Sequence, residues 1–308
     1  MASNKPLILF HYPLSPFSEK MRAMLAWAGL PWHSVRVREM PPRPLLQRLA
    51  GGYRKVPVAQ IGADVFCDTR CIAAEIARRA HRPLLALEAG SAEAQDFVAR
   101  ADGELFIACA LSANTLAMGQ RVLRSMSLPD LARFAWDRMQ IGRKTSLGAA
   151  PLRQPRQRVR AHLRELEQRL AGQDFLFGAQ PQHADFSAFH GLWFLHDLAR
   201  APLLDGHPRV LAWMARIRAF GHGRCTPMAG EQALEWARSS RPRRLEPGSR
   251  LSAPQRVAIG PADYAQDQSE GLLVAATPTR WVLAREEPGL GRLHVHFPRQ
   301  GYRLLPLD

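Results

Sequence analysis

The sequence predicts an α/β layer at the front, an all-helical domain in the middle and a small β-rich module at the end. Three observations carry that prediction. Strand and helix patterns alternate within the first eighty or so residues, apolar residues recur at helical spacing over 92–238, and beyond residue 250 the apolar period falls to two. A length of 308 residues suits two domains and a small third, and a hydrophobic fraction of 46% can supply a sizeable core. The segments so defined are 1–85, 90–238 and 242–308.

Leu7–His11 (LILFH) is an apolar run of strand length. Pro13 and Pro16 bracket a turn in which Ser15 is a good N-cap, and Pro16 suits the first helical position, where no amide hydrogen is needed. Met21, Met24, Leu25 and Ala28 give the helix an apolar face, and Gly29 stops it. Val35 and Val37 alternate with Arg36 and Arg38 as a second strand, MPPRP is a break, and Leu45–Leu49 is a helical turn closed by Gly51 and Gly52. VPVAQIGADVFCD reads as two short strands joined through Gly62, and Thr69–Arg79 returns to helical period with Ile72 and Ile76 inward. That order of elements is a thioredoxin-like α/β layer.

After Pro83 the texture becomes helical. Arg158–Leu170 carries Leu163, Leu166 and Leu170 along one side, His183–Leu198 is strongly apolar and suits a domain centre, and Leu203–Phe220 is a helix entered through Pro208. SSRPRRLEPGSR, 239–250, reads as a linker. Alternating runs follow at Arg256–Ile259, Leu272–Ala275, Arg280–Ala284 and Leu293–Phe297.

Composition narrows the function. No run of eighteen apolar residues occurs, and the N-terminal apolar run is too short for a secretory signal, so a cytoplasmic protein is expected. Cys67, Cys71, Cys109 and Cys225 form no C-x-x-C pair and no zinc spacing, which predicts packed, reduced thiols and no metal. Cys67 and Cys71 are spaced to share a helix face. The net charge is +15, of which +8 lies in residues 1–85. It is spread rather than drawn into a stripe with interleaved aromatics, which disfavours nucleic acid and suits an anionic small molecule.

Three places can carry chemistry. Ser15 is either a plain helix cap or a hydroxyl that donates to a ligand thiolate, lowering the thiol's pKa at the positive end of a helix; Ser18 and Tyr12 are its nearest competitors. Pro57 stands between Val56 and Val58 beside a strand, where a proline is disfavoured. It is either a trans proline at a strand start or a cis one that leaves the Val56 backbone free to pair with an extended peptide. Asp68 and Thr69 open the next helix, as caps or as a receptor for an ammonium and a carboxylate, the two groups of an amino-acid head. Together these describe a site for a short γ-linked peptide with a central thiol.

The front eighty residues resemble the N-terminal domain of the glutathione transferases. SPFSEKMR is similar to the omega-class pattern C-P-F-x-x-R-x-R, with Ser15 at the cysteine and Lys20 at the first arginine, and to the first serine of the zeta-class S-S-C-x-W-R-x-R. RKVPV matches the K-V-P segment, with Val56 and Pro57 at the cis-proline site, and CDTRCIAAEIA matches E-S-x-x-I-x-x-Y-I, with Asp68 and Thr69 replacing Glu-Ser. LEQRLAGQDFLFGAQPQHADFSAF resembles the helical half, with Asp185 at the buried capping aspartate and Gln182 where Ser or Thr is usual. The resemblance covers about residues 5–235. The ending LHVHFPRQGYRL is similar to that of a bacterial subgroup with an appended domain.

The resemblance implies a homodimeric glutathione transferase, with glutathione as co-substrate and an apolar electrophile against the helices. Ser15 would stabilise the thiolate, Val56 beside Pro57 would pair with the cysteinyl backbone, Asp68 and Thr69 would hold the γ-glutamyl head, and Lys55 or Arg54 would meet the glycyl carboxylate. Reductase chemistry of the omega type is disfavoured, since it needs cysteine at position 15. The rival is a binding or scaffold protein without turnover, as in bacterial relatives that bind RNA polymerase. His11, His33 and His190 lack paired ligands; His294 and His296 alternate on a strand and could meet a ligand, but read as surface or core packing; and Met118, Trp193 and Phe194 read as core or as lining of an acceptor pocket.

Overall fold

The computed structural model describes residues 5–125 and 154–308. The helical period expected across the intervening residues lies outside them. The front segment runs β1 (Leu7–His11), α1 (Pro16–Trp27), β2 (Trp32–Arg36), α2 (Pro44–Ala50), β3 (Val58–Ile61), β4 (Asp64–Cys67) and α3 (Thr69–Ala80). β1 pairs parallel with β2 and antiparallel with β3, and β3 turns into β4 through Gly62, whose φ of 62° favours a residue without Cβ. All five residues of β1 are buried, which is why the strand reads as a continuous apolar run. Cys67 ends β4 and Cys71 belongs to α3, so the two do not share a helix; both are buried, each in a different apolar cluster.

The helical part comprises α4 (Ala92–Arg100), α5 (Phe106–Ser112), α6 (Leu116–Ser125), α7 (Pro155–Arg169), α8 (His183–Trp193), α9 (Pro208–Ala219) and α10 (Gly230–Arg238). Short π-helical segments at Ala101–Leu105 and Phe194–Leu198 extend α4 and α8. Ten of the eleven residues of α8 are buried, as its composition implies. α9 begins at Pro208, not at Leu203, because Gly206 (φ 84°) turns the chain just before it. α1 and α3 pack on these helices through one large apolar cluster that includes Leu25, Ile72, Ile76, Phe186, Phe189 and Trp213. At the same boundary the fully buried Lys20 pairs with Asp102 at 2.7 Å. A three-residue strand absent from the sequence reading, β5 (Cys225–Pro227), pairs with β2; it is exposed and too short to show a period.

The C-terminal strands are β6 (Arg250–Pro261), β7 (Ser269–Ala276), β8 (Arg280–Glu287), β9 (Gly291–Pro298) and β10 (Tyr302–Pro306). They continue the front sheet. β9 pairs parallel with β4, Val295 opposite Val65, and the whole is one ten-stranded sheet of order β10-β6-β7-β8-β9-β4-β3-β1-β2-β5. β10 follows β9 in sequence yet pairs with β6 at the far side, so these five strands curl back on themselves. A second apolar cluster joins α2, α10 and this module through Leu46, Leu234, Val257, Leu283, Val295 and Phe297. The stretch 239–250 is tied down: Arg243 reaches both Asp64 and Glu75, and its guanidinium lies over the Phe66 ring.

Candidate functional site

Ser15 ends the turn after β1 and caps α1. Its Oγ accepts the Ser18 N–H at 3.2 Å, and the residue is 2% exposed. The turn is held from beneath by Arg22, which donates to the Tyr12 and Pro13 carbonyls at 3.3 and 3.0 Å and is gripped by Glu19 at 2.6 Å. Arg22 also donates to His11 Nδ1 at 2.9 Å, so that nitrogen is an acceptor and Nε2 carries the proton given to Ser34 Oγ at 2.8 Å. Burial, with Arg22 beside it, pushes the His11 pKa down to about 3, consistent with a neutral ring.

Above Ser15 lies a cavity of about 320 Å³. One wall holds Ser15, Tyr12, Arg54, Lys55 and Val56; the opposite wall is apolar, with Phe17, Phe106, Met118 and Phe194. Phe194 begins one π-helical segment and Phe106 directly follows the other. Trp193 is not part of this lining among the described residues, and neither is Ser18, which is fully buried within α1. The Val56–Pro57 peptide is cis, with Pro57 buried below the wall. The rim is closed by the β6–β7 loop, which places Tyr264 and Ala265 in the lining. Lys55 Nζ donates to Asp263 Oδ1 at 2.7 Å and stands 4.4 Å from the centre of the Tyr264 ring, and Arg54 Nε lies 3.7 Å from Asp267 Oδ2.

Asp68 and Thr69 stand apart from this lining. Asp68 caps α3 at φ 74°, its Oδ1 accepting the Arg70 N–H at 2.9 Å, and Thr69 is the first helical residue. Asp68 Oδ2 accepts the Tyr302 hydroxyl at 3.0 Å, and Tyr302 shares a hydrogen bond of 3.1 Å with Tyr53. Burial, and then the Asp68 charge, push both tyrosines well above the usual range, so both stay protonated and able to donate. The structure therefore gathers Ser15, Lys55 and Val56, with Arg54, around one cavity. It leaves Asp68 and Thr69 at the neighbouring helix start. Asp263, Tyr264, Asp267 and Tyr302 were missed from sequence: the first three carry no motif, Tyr302 lies in the LHVHFPRQGYRL ending without a role read for it, and all sit far from the site along the chain.

Known proteins give the setting. Residues 9–83 match the family model described as glutathione S-transferase, N-terminal domain, and residues 151–216 the one described as glutathione S-transferase, C-terminal domain. A GST-like protein from Pseudomonas syringae is 33% identical with a TM-score of 0.76, over 97% of this chain and 99% of that one. The chain belongs to the glutathione S-transferase family. The likeness to the Pseudomonas protein extends through the C-terminal strands, since it leaves only 3% of the chain uncovered. A glutathione S-transferase from Rhodospirillum rubrum F11 shares the transferase fold at 22% identity and a TM-score of 0.52, over 70% of this chain and 89% of that one. No curated protein matches.

The family's capping aspartate is well seated. Asp185 accepts from the Leu176 and Gln182 N–H groups at 2.8 and 2.9 Å and from Trp213 Nε1 at 2.9 Å. Burial still raises its pKa to about 6 against those donors. The Gln182 side chain donates to the Phe177 carbonyl instead of capping the helix. Burial pushes the Cys71 and Cys109 thiols up to about 12 and Cys67 well above its usual value, which leaves these three unreactive. Among the described residues no cluster of His, Cys, Asp or Glu could hold a metal ion, and no helix is long and apolar enough to cross a membrane.

Proposed function

We propose that the protein is a cytoplasmic, homodimeric glutathione transferase that joins the glutathione thiolate to an apolar electrophile. The observation that carries this is the Ser15 hydroxyl at the cavity wall. Its oxygen already accepts the Ser18 N–H, so its own hydrogen remains to be donated into the cavity. A donor at the positive end of α1 favours the thiolate over the thiol and lowers the thiol pKa. The thiolate sulfur attacks the electrophilic carbon held against Phe17, Phe106 and Phe194, the C–S bond forms, and the leaving group departs with the displaced electron pair. Catalysis then rests on thiol activation and proximity.

In this reading the cysteinyl backbone pairs with Val56 above cis-Pro57, and Lys55 or Arg54 meets the glycyl carboxylate. Asp68 takes the γ-glutamyl ammonium, while Thr69 and the α3 N-terminus take its carboxylate. The segments 1–85, 90–238 and 242–308 serve as the glutathione domain, the acceptor domain and an appended module. Ser15→Ala should lower the conjugation rate with a chloronitrobenzene by roughly ten- to a hundredfold, the worth of one hydrogen bond to a charged sulfur, with glutathione affinity nearly unchanged. Equal rates in both proteins, alongside a large loss in Tyr12→Phe, would move the role to Tyr12.

A second reading, a glutathione transferase-like scaffold without turnover, is favoured by one observation: Tyr302 already occupies an oxygen of Asp68. Absence of retention on immobilised glutathione, and of any rise in melting temperature with millimolar glutathione, would select it.

A further inference from the structure

The C-terminal module reaches the glutathione site at two points. At each it offers the group that one end of the tripeptide would offer. On one side the β6–β7 loop sets the Asp263 carboxylate on Lys55 and the Asp267 carboxylate beside Arg54, where a glycyl carboxylate would bind. The Tyr264 ring covers the Lys55 ammonium from the same loop. On the other side Tyr302 donates to Asp68 Oδ2, the oxygen a γ-glutamyl ammonium would need. Tyr302 is held there by its stack on Tyr53 and by the Phe297 ring 6.0 Å away. Between the two points, Ser15 and Val56 still line the cavity.

We propose that Asp263, Asp267 and Tyr302 are specificity determinants that compete within the molecule for the anchors of both glutathione ends. The inference rests on the glutathione reading above. A thiol with charged ends must displace these contacts, whereas one that engages only the central wall need not. The module thereby sets which thiols bind, raising the concentration of free glutathione the site requires. The side chains of Asp263 and Asp267 are about half exposed, so each ion pair is weak by itself and its displacement is reversible.

The test compares glutathione with its glycyl monoethyl ester, by calorimetric titration of the full-length chain. Asp263→Asn with Asp267→Asn should tighten glutathione a few-fold and leave the ester, which lacks the carboxylate, unchanged. Tyr302→Phe keeps the ring stack and should tighten both ligands. The triple variant should bind glutathione about tenfold more tightly than the native chain. Melting temperatures within a few degrees of the native protein would show that the fold is kept. Glutathione affinity unchanged or weakened in the triple variant overturns the competition while leaving the glutathione reading intact. No binding of either ligand to native or variant protein overturns both.

Discussion

The α/β layer is bordered by helices on one face and by strands along one edge, and the two borders are held differently. The helical border is a broad apolar contact in which the Lys20 ammonium is wholly shut away from water, while its partner Asp102 is 26% exposed. Burial pushes the Asp102 pKa up; Lys20 first, with His190 and His183, pulls it down, and together they hold the carboxyl below its usual value. The strand border is a backbone ladder from β4 to β9 with a smaller apolar cluster and a seam of charges: His296 and Arg243 on Asp64, and Arg243 on Glu75. In that seam it is the carboxylates that are buried, Asp64 and Glu75 each 1% exposed, and the cation, Arg243, that is 26% exposed. A face is covered by area and here buries the cation of its pair; an edge is covered by backbone pairing and here buries the carboxylates, leaving the cation near water.

The comparison predicts unequal costs for similar deletions. Asp102→Ala strands a fully buried ammonium and should cost about 3–5 kcal/mol, whereas Asp64→Ala leaves Arg243 with Glu75 and with solvent and should cost roughly 1–2 kcal/mol. Urea unfolding of both variants measures the difference; equal losses would mean that the two borders are not distinct in kind.

A smaller effect, of the same sign at both borders, depends on pH. His190, behind Phe17 and Phe106, and His294, on the β9 side, are both pushed down to about 4 by burial first, with Asp102 and Asp64 respectively opposing the shift. Their folded pKa values lie below the unfolded value near 6.5. The unfolded chain therefore takes up protons first, and stability is lost as pH falls from 6.5 toward 4. His190→Gln and His294→Gln should each flatten that fall by on the order of 1 kcal/mol per pH unit, read from melting curves at several pH values. Asp185, raised to about 6, has the opposite sign, favouring the folded state as pH drops toward the unfolded value. A variant whose slope matches the native protein removes that histidine from the account. The smallest expected change is at the α8 cap: Gln182→Ser should stabilise by about 0.5–1 kcal/mol, with loss of the Phe177 contact setting the lower bound. A loss of stability there would show that this contact outweighs a hydroxyl cap.

Much of the front layer was legible. Ser15 capping α1, the β3–β4 turn at Gly62 and the inward Ile72 and Ile76 follow from caps, turns and periods that act within a few residues, as does, beyond that layer, the helix expected at Arg158–Leu170 and found at Pro155–Arg169. On the cavity wall, Ser15 was legible as a helix start and Val56 through the proline beside it, whereas Lys55 came only with the resemblance of RKVPV to the K-V-P segment. The rim was not. Tyr302 and Asp68 are 234 positions apart, and Lys55 and Asp263 are 208 apart, and neither contact leaves a local pattern. β5, with three exposed residues, is too short to announce itself, and β10 (YRLLP) sets two leucines side by side and ends in proline, which breaks the period of two.

By itself, then, the sequence determined most of the strands and helices, β5 and β10 excepted, where α1 and α3 begin, and that a hydroxyl stands at the first of those starts. Period and capping are short-range physics, written in neighbouring residues. Tertiary structure alone decided that β9 lies against β4, that the β6–β7 loop closes the cavity, and that Tyr302 reaches Asp68. Backbone groups on a strand edge are nearly the same whatever the side chains, so the choice of neighbour falls to the packing of the whole chain.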